Sequence, residues 1–207
     1  SECSRVTGMY EPRTCSSAGC TDPAVHGEPT CYAHLPDPGA FGAGLAEELQ
    51  RTGGLEDADF AGVVFDGVDF TGVSLAGCRF SGARFNACTL SRARVELCLF
   101  DHADFIDCTV HEAVIRNSVF GAATVTGCDY TGSDIIQCSW NAATVSGVTF
   151  DDTDILQSRF IGTELTDTTF QNCNLKAVRF QHSTRTNVSF RYSNHEDAAF
   201  SDGTDPR

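Results

Sequence analysis

The sequence lacks any long apolar run. No stretch of its 207 residues approaches the roughly 18 apolar residues that a membrane-spanning helix needs. Its first residues show no charged segment followed by an apolar one, so we expect neither a membrane span nor a signal peptide. Basic residues are also scarce, with 14 Lys and Arg against 28 Asp and Glu and a formal net charge of -14. Such a surface repels nucleic acids and anionic membranes and attracts basic partners, and it equally serves plain solubility.

Catalytic patterns are absent as well. The sequence has no Ser/His/Asp arrangement of the kind that activates a nucleophile, and no glycine motif that cradles phosphates. Its regularly spaced glycines, such as Gly62, Gly67 and Gly72, instead fall at intervals of five residues, which is typical of corners in a repeating fold. We therefore predict that the protein is not an enzyme.

A five-residue period runs along the chain from Leu55. Every position whose number is a multiple of five holds a large apolar residue as far as Phe180, and a small residue stands two positions before it. The exceptions at the large position, Arg185 and His195, come near the end. Helices repeat apolar residues every three or four positions and ordinary strands every two, so neither fits. The period predicts a chain that bends after every five residues and directs the large and small residues inward.

The individual repeats resemble a known family. The segments ADFAG, CRFSG, ARFNA, ADFID and CNLKA are similar to the consensus of pentapeptide-repeat proteins, in which an Ala/Cys-Asp/Asn-Leu/Phe triplet precedes two polar residues. The resemblance implies an all-β solenoid, a right-handed quadrilateral β-helix with four repeats in each coil. About seven coils, spaced about 4.8 Å apart, would form a rod of roughly 35 Å.

Coils of twenty residues make a prediction about the core, because residues twenty apart would then stack. One such column is wholly aromatic and another is wholly aliphatic. The aromatic column is Phe60, Phe80, Phe100, Phe120, Trp140, Phe160, Phe180 and Phe200; the aliphatic column is Leu75, Val95, Ile115, Ile135, Ile155 and Leu175. Like side chains interdigitate along such ladders, so this sorting favours the twenty-residue coil.

The first 36 residues, which we call the leader, are of a different kind. Cys15 and Cys20 are separated by four residues, and Cys31 and His34 by two. Two close ligand pairs joined by a loop are typical of tetrahedral zinc, since each pair offers two donors on one turn. We predict a zinc site at these four residues, with Cys3 as an alternative ligand. The metal would supply folding energy to a segment that has few large apolar residues.

Other interpretations of the leader stay open. Disulfides among its four cysteines permit three pairings, although nothing in the sequence argues for an oxidising compartment. The segment can also be a loose chain without fixed structure. We interpret His26 as a surface residue of the loop between the two ligand pairs. The stretch CTDPAVHGEPTCYAHLPD also resembles the small Cys/His-rich leaders of some bacterial pentapeptide-repeat proteins.

A helix is predicted between the leader and the repeats. Asp37 followed by Pro38 makes an N-cap and first-turn pair, the run AFGAGLAEELQ places apolar side chains four residues apart, and Gly53 with Gly54 ends it. Its apolar stripe would cover the open first coil. The predicted divisions are a leader at 1–36, a capping helix and linker at 37–54, the β-helix at 55–200 and a tail at 201–207.

The seven cysteines of the repeats all occupy the small inward position: Cys78, Cys88, Cys98, Cys108, Cys128, Cys138 and Cys173. Buried there, a thiol acts as a small apolar side chain and is a poor thiolate. We interpret them as reduced packing residues, and their unpaired state favours a reducing cytoplasm.

The resemblance also implies a function. The family includes rod-shaped proteins that inhibit or protect DNA gyrase by imitating a DNA duplex, and whose action gives resistance to topoisomerase poisons. In this chain the acids that would stand in for phosphates are Asp104, Asp107, Glu112, Asp129, Asp134, Asp151, Asp152 and Asp154. Twenty-residue stacking spreads these acids over several faces, and no loop interrupts the coils, so the match to that pattern is incomplete. Asp134 and Asp154 would also adjoin closely enough to hold a cation, or simply repel each other in solvent.

The alternative function is a protein-interaction scaffold. Its partner would dock on the leader or on an apolar face of the rod, where aliphatic residues occupy positions expected to face water. These residues are Leu97, Leu99, Val114, Val119, Ile136, Leu156 and Ile161. The tail has no apolar capping helix, so the last coil, around Phe190 and Phe200, either pairs with a second copy in a homodimer or ends loosely.

Overall fold

The computed structural model describes residues 13–201 of the chain. A 3₁₀ turn at Tyr32–His34 and a helix, α1, at Pro38–Thr52 precede fourteen short strands in this part of the chain. The strands are β1 Gly54–Glu56, β2 Val64–Asp66, β3 Ser74–Ala76, β4 Arg84–Asn86, β5 Arg94–Glu96, β6 Asp104–Ile106, β7 Val114–Arg116, β8 Thr124–Thr126, β9 Asp134–Ile136, β10 Thr144–Ser146, β11 Glu164–Thr166, β12 Arg179–Phe180, β13 Thr184–Thr186 and β14 Ala199–Phe200. Within residues 13–201, no helix combines the length and the apolarity required to cross a membrane.

The strands form parallel sheets that run along the rod. One sheet has the order β1-β3-β5-β7-β9, a second has β13-β11-β10-β8-β6-β4-β2, and β12 pairs with β14. Each pairing joins residues twenty apart, as between Leu55 and Leu75. Isolated bridges with the same offset line the two remaining sides, for example between Asp69 and Thr89. The right-handed quadrilateral β-helix of about seven coils is therefore confirmed.

We number the four faces of the rod by the pentapeptides of its first coil. Face 1 contains residues 58–62, face 2 contains 63–67, face 3 contains 68–72 and face 4 contains 73–77, and each continues at offsets of twenty residues. The last residue of each pentapeptide forms a corner with a left-handed backbone. At Gly77, where φ is 62°, an added Cβ would lie 2.5 Å from the Asp57 carboxylate, so a larger residue there would require that side chain to move. Other corners, such as Ala87 with φ of 48°, hold a non-glycine residue in the same conformation.

Stacked rings fill the core. The Phe100 ring lies 4.9 Å from Phe80 and 4.8 Å from Phe120, with planes inclined by 3° and 8°. Trp140 continues the column 4.1 Å beyond Phe120. All four rings are buried. The predicted aromatic column is thus continuous through the middle coils, and each ring contacts the one in the next coil.

Side chains at the small inward position donate hydrogen bonds to backbone carbonyls of the preceding coil. The Cys98 thiol donates to the Leu75 carbonyl at 3.5 Å, and the Ser158 hydroxyl donates to the Ile135 carbonyl at 2.8 Å. Every cysteine at this position is buried and free. Burial raises the pKa of the Cys138 thiol to about 12, so that thiol stays protonated and packs as an apolar group.

Helix α1 begins and ends where the sequence predicts. The Asp37 carboxylate accepts a hydrogen bond from the Ala40 amide at 3.0 Å, and Gly53 adopts a left-handed conformation with φ of 71°. Leu45 and Leu49 are buried in the same apolar cluster as the first coil. The helix therefore covers the open N-terminal end of the rod, as expected.

The leader packs against the same end of the rod. Val25 and Leu35 are buried and join the apolar cluster of the rod. The His26 amide donates to the Asp59 carbonyl at 2.7 Å, and the His26 ring lies 5.6 Å from Phe60. His26 is thus a surface residue whose side chain is 30% exposed, but the loop that carries it folds back onto the unpaired edge of the first coil, which the sequence did not indicate.

The C-terminal end is more open. Arg185 and His195, which break the apolar rule, are half-buried, and the Arg185 guanidinium lies 4.9 Å above the Phe200 ring. Phe190 is still buried, whereas Phe200 is half-buried. The inner columns thus open to solvent where the charged residues enter them, which agrees with the cost of burying a charge.

Candidate metal centre and binding surfaces

Two backbone features bring the predicted zinc ligands together. An antiparallel bridge between Thr14 and Pro23 closes the segment that carries Cys15 and Cys20, and the chain reverses within it at Gly19, where φ is 77°. The second ligand pair flanks the 3₁₀ turn, in which the amide of His34 donates to the carbonyl of Cys31 at 3.0 Å. Each pair therefore presents two donors from a single turn of chain.

The four ligand atoms form a compact group. The Cys20 and Cys31 sulfurs are 3.8 Å apart, and the His34 Nδ1 lies 3.2 Å from the Cys31 sulfur and 3.5 Å from the Cys15 sulfur. All four atoms lie within 4.8 Å of one another. Tetrahedral zinc with Zn–S bonds of about 2.3 Å separates its sulfurs by about 3.8 Å. The donor set and its spacing fit one metal ion.

The thiols of this group influence one another. Burial opposes ionisation of Cys15, but hydrogen bonds from the Cys31 and Ser17 amides outweigh it and lower the Cys15 pKa to about 6. A hydrogen bond from the Asp22 amide favours ionised Cys20, yet burial and the neighbouring sulfurs raise its pKa to about 11. One thiolate thus suppresses the next, and a bound cation would relieve that repulsion.

Disulfides and the alternative ligand Cys3 were the other interpretations of the leader cysteines. Cys15, Cys20 and Cys31 are free, and the 3.8 Å between the Cys20 and Cys31 sulfurs is far from the roughly 2.05 Å of a disulfide. The alternative ligand Cys3 lies outside the described residues. Between residues 13 and 201 the leader quartet is the one group of three or more such donors near enough to share an ion.

The eight predicted partner-binding acids lie on three faces of the rod. Asp104 and Asp107 are on face 2, Glu112, Asp129, Asp151 and Asp152 are on face 3, and Asp134 and Asp154 are on face 4. No single stripe contains them. A DNA duplex also carries phosphates around its whole circumference, since its two strands wind about a common axis.

Three of these acids have basic neighbours. Asp104 pairs with Arg84 at 3.0 Å, Asp129 with His111 at 2.8 Å, and Asp134 approaches Arg116 at 3.8 Å. Among residues 13–201, no basic side chain lies within ion-pair distance of the other five, which are Asp107, Glu112, Asp151, Asp152 and Asp154. The negative charge of the middle coils is therefore largely uncompensated.

Asp134 and Asp154 adjoin on face 4, as stacking predicts. Each already has a partner: Arg116 for Asp134, and the Asn174 amide, which donates to Asp154 at 3.0 Å. The pair brings no third acidic, histidine or cysteine ligand with it in the described chain. Polar neighbours thus account for this pair without an ion.

Comparisons with known proteins decide the family. A sequence model described as pentapeptide repeats (8 copies) matches residues 55–92, and one described as a pentapeptide repeat region matches residues 133–204, which together make up slightly more than half of the chain. The chain belongs to the pentapeptide-repeat family.

A solved structure shares the fold, and a second match has low similarity. A trypsin-treated form of QnrB1, a plasmid-mediated fluoroquinolone resistance protein, is 22% identical with a TM-score of 0.58, over 72% of this chain and 83% of QnrB1. HetL, a protein involved in regulating heterocyst differentiation from the cyanobacterium Nostoc sp. strain PCC 7120, is 13% identical with a TM-score of 0.22, over 73% of this chain and 90% of HetL. No curated protein matches the sequence.

The predicted apolar face of this pentapeptide-repeat protein is only partly exposed. Leu97 is 61% and Leu99 is 38% exposed beside the corner between faces 4 and 1, whereas the other five predicted residues are half-buried. The sequence analysis missed Val64 and Ile106 on face 2 and the 86% exposed Tyr192 on face 3. Exposed large apolar residues are therefore scattered over several faces.

The sequence analysis also missed the contacts between leader and helix. The His26 imidazole lies 3.4 Å from the Glu48 carboxylate of α1, and the Tyr32 and Phe41 rings meet edge to face at 6.4 Å. Three of these residues, His26, Phe41 and Glu48, line a surface cleft of about 380 Å³ between leader and helix. The glycines of the segment AFGAG could have indicated this cleft, since glycine is unfavourable within a helix and leaves space beside it.

Proposed function

We propose that this pentapeptide-repeat protein is a non-enzymatic binding protein whose acidic rod occupies the DNA-binding surface of a type II topoisomerase, DNA gyrase. The observation that carries the proposal is the group of five middle-coil acids without a basic neighbour in the described chain. Binding there would protect the enzyme from topoisomerase poisons and regulate supercoiling.

The charge of the rod supports this proposal in magnitude. From Leu55 to the end, the chain carries 21 acidic and 11 basic residues. A duplex of similar length, roughly 35 Å, carries about 20 phosphates. The rod thus has about half the net charge of the DNA it would imitate. A basic surface would therefore attract the rod more weakly than it attracts DNA. Because this attraction is electrostatic, we expect inhibition to be lost when salt screens it.

A supercoiling assay with purified gyrase across a salt series tests the proposal. We expect inhibition at low salt that fades between about 50 and 200 mM salt. Asp151→Asn with Asp152→Asn removes two middle charges while keeping side-chain shape, and should weaken inhibition several-fold. The matched control is Glu56→Gln with Asp66→Asn, which removes two exposed charges near the N-terminal end of the rod. No inhibition at any salt, or equal losses in the two double variants, would contradict the proposal.

The donor set of the leader supports zinc as the metal. Three soft thiols and one imidazole suit zinc better than magnesium or calcium, which prefer oxygen ligands. Cys15, Cys20, Cys31 and His34 would hold it, and the ion would fix the fold of the leader on the end of the rod. This favours a second role in which the leader is a docking module for a protein partner. The ten free cysteines of the described chain support a reducing compartment such as the cytoplasm.

We also propose that the protein forms a homodimer through its C-terminal coil. The half-buried Phe200 and the cation–π contact of Arg185 place an aromatic surface at that end. Two copies meeting there would cover both rings and double the length of the acidic rod. Light scattering during size-exclusion chromatography should give twice the 22.2 kDa mass of the chain. Phe200→Glu should restore the monomer, and a wild-type monomer at all concentrations would contradict pairing.

A further inference from the structure

The cleft between the leader and helix α1 has the size of a small-ligand site. Its volume of about 380 Å³ falls within the roughly 300–1,000 Å³ typical of such sites. Leu35 and Pro36 of the leader form one wall, and Ala40, Phe41 and Leu45 of the helix form the other. The cleft therefore offers an apolar lining with room for a few carbon atoms.

Three acidic residues also line the cleft. They are Glu28, Asp37 and Glu48, and His26 is the one basic side chain there. The His26 Nε2 lies 3.4 Å from the Glu48 carboxylate, and Asp37 caps the helix. Glu28 is half-buried, and no hydrogen bond or ion pair to its carboxylate is formed within the described chain. The cleft thus has net negative charge and one carboxylate free to receive a donor.

Gly44 keeps the cleft open. It lies in the middle of α1, where glycine is less favourable than alanine, and a Cβ built on it would meet no atom within 4 Å. No close contact therefore requires glycine at this position. Because Gly44 lines the cleft, any longer side chain there would occupy the space.

We propose that this cleft binds a long cationic side chain, lysine or arginine, from a protein partner. The aliphatic stem would lie along Leu35, Ala40 and Phe41, and the charged head would reach Glu28 and Glu48, which matches an apolar wall beside carboxylates. This site lies apart from the acidic middle coils. It gives the leader a defined docking chemistry, whether or not gyrase is a partner.

The test uses the full chain and Nα-acetyl-arginine methylamide, with the neutral citrulline analogue as the charge control. Two-dimensional NMR should show saturable shifts of the Gly27 and Gly44 amides with the arginine probe, and binding of citrulline about tenfold weaker or undetectable. The lysine probe should behave like arginine. Equal binding of the citrulline analogue, or no saturable shift at all, would overturn the proposal.

Matched variants locate the site. Gly44→Leu should abolish the shifts by filling the cleft, whereas Gly42→Leu, on the same helix with equal space around its Cβ but outside the cleft lining, should leave them. Glu28→Gln should weaken binding about tenfold without changing the helical circular dichroism. Unchanged binding in Gly44→Leu would refute the site. The gyrase assay does not depend on these residues, so failure of either proposal is visible separately.

Discussion

The rod and the leader of this protein gain their structure in opposite ways. In the rod, each core position recurs every five residues, and each ring contacts neighbours above and below, as Phe120 contacts Phe100 and Trp140. In the leader, each structural element occurs once, and four donor atoms within 4.8 Å form its centre. The rod therefore distributes its stability over many similar interfaces, whereas the leader concentrates it at one point.

This difference predicts how much structure each region loses when one residue is substituted. A substitution in the rod should lower stability by the contacts of one coil, because neighbouring coils retain their own interfaces. Loss of a ligand in the leader should remove the structure of the whole segment, because Ala24, Val25 and Leu35 provide few buried apolar contacts without the metal. The leader contacts the rod through His26 and the helix, so each region can be tested with the other as reference.

The largest effect should follow removal of two metal ligands. Cys31→Ala with His34→Ala should lower metal content from about one equivalent to none, since two remaining donors cannot close a tetrahedral site. Elemental mass spectrometry measures the metal. Hydrogen exchange should show the leader amides losing protection, including Cys15, whose amide donates to the Asp22 carbonyl at 2.8 Å. The β-signal of the rod should persist.

The control for that experiment is Cys173→Ala with His182→Ala. It removes the same residue types, one a buried thiol of the rod and one an exposed imidazole. The metal should stay bound in this variant. Wild-type protein purified without metal would contradict the metal site. Loss of the whole rod in the ligand variant would contradict the separation of leader and rod.

The next largest effect should come from truncating one side chain of the aromatic column. Phe120→Ala leaves a cavity between two stacked rings and should lower the free energy of unfolding by about 3–5 kcal/mol. Chemical denaturation monitored by circular dichroism measures it. Val119→Ala, one residue earlier and half-buried on face 1, should cost under about 1.5 kcal/mol. Equal costs for the two variants would mean that the column does not hold the rod together.

The rod and the leader also differ in how far their structures could be predicted from the sequence. The rod could be predicted because a strict five-residue period leaves one way to bury Phe60 and the residues that follow it, and stacking then fixes every pairing. The helix ends could be predicted because capping is local, as at Asp37 and Gly53. The metal quartet was visible because its ligands come in two close pairs.

Other features could not be predicted, since they depend on how non-repeating segments meet. His26 gave no sign that its amide would bond to Asp59, because the approach of leader to rod is set by tertiary packing. The cleft beside Gly44 depends on the same approach. Which acids would gain a basic neighbour, as Asp129 does from His111, depends on side-chain conformations across coils.

A smaller effect should come from one polar group inside the rod. The Tyr130 hydroxyl is buried without a hydrogen-bond partner in the described chain, and its burial raises the Tyr130 pKa well above the usual value. The adjoining void of about 10 Å³ has an otherwise apolar lining, too poor in polar groups to hold a water.

Replacing Tyr130 with phenylalanine should therefore stabilise the rod. Tyr130→Phe keeps the stack on Phe150, whose ring is 5.0 Å away, and removes an unsatisfied hydroxyl at a gain of about 1–2 kcal/mol. The denaturation midpoint should rise. Phe150→Tyr, the reverse change at the next rung, should lower it. A fall in the midpoint of Tyr130→Phe would show that the hydroxyl has a partner.

The smallest effect should come at the junction of the two regions. Asp37 directly follows the leader and caps α1 by accepting a hydrogen bond from the Ala40 amide. Asp37→Ala removes that hydrogen bond and should destabilise the helix by about 1 kcal/mol, whereas Asp37→Ser should keep most of the cap. Hydrogen exchange should increase in the first turn of α1 for the alanine variant and stay unchanged in the middle coils, because those coils do not contact the cap. If exchange also increased around Phe120, the rod and its N-terminal cap would unfold as one unit, and the separation of leader and rod would fail at this junction.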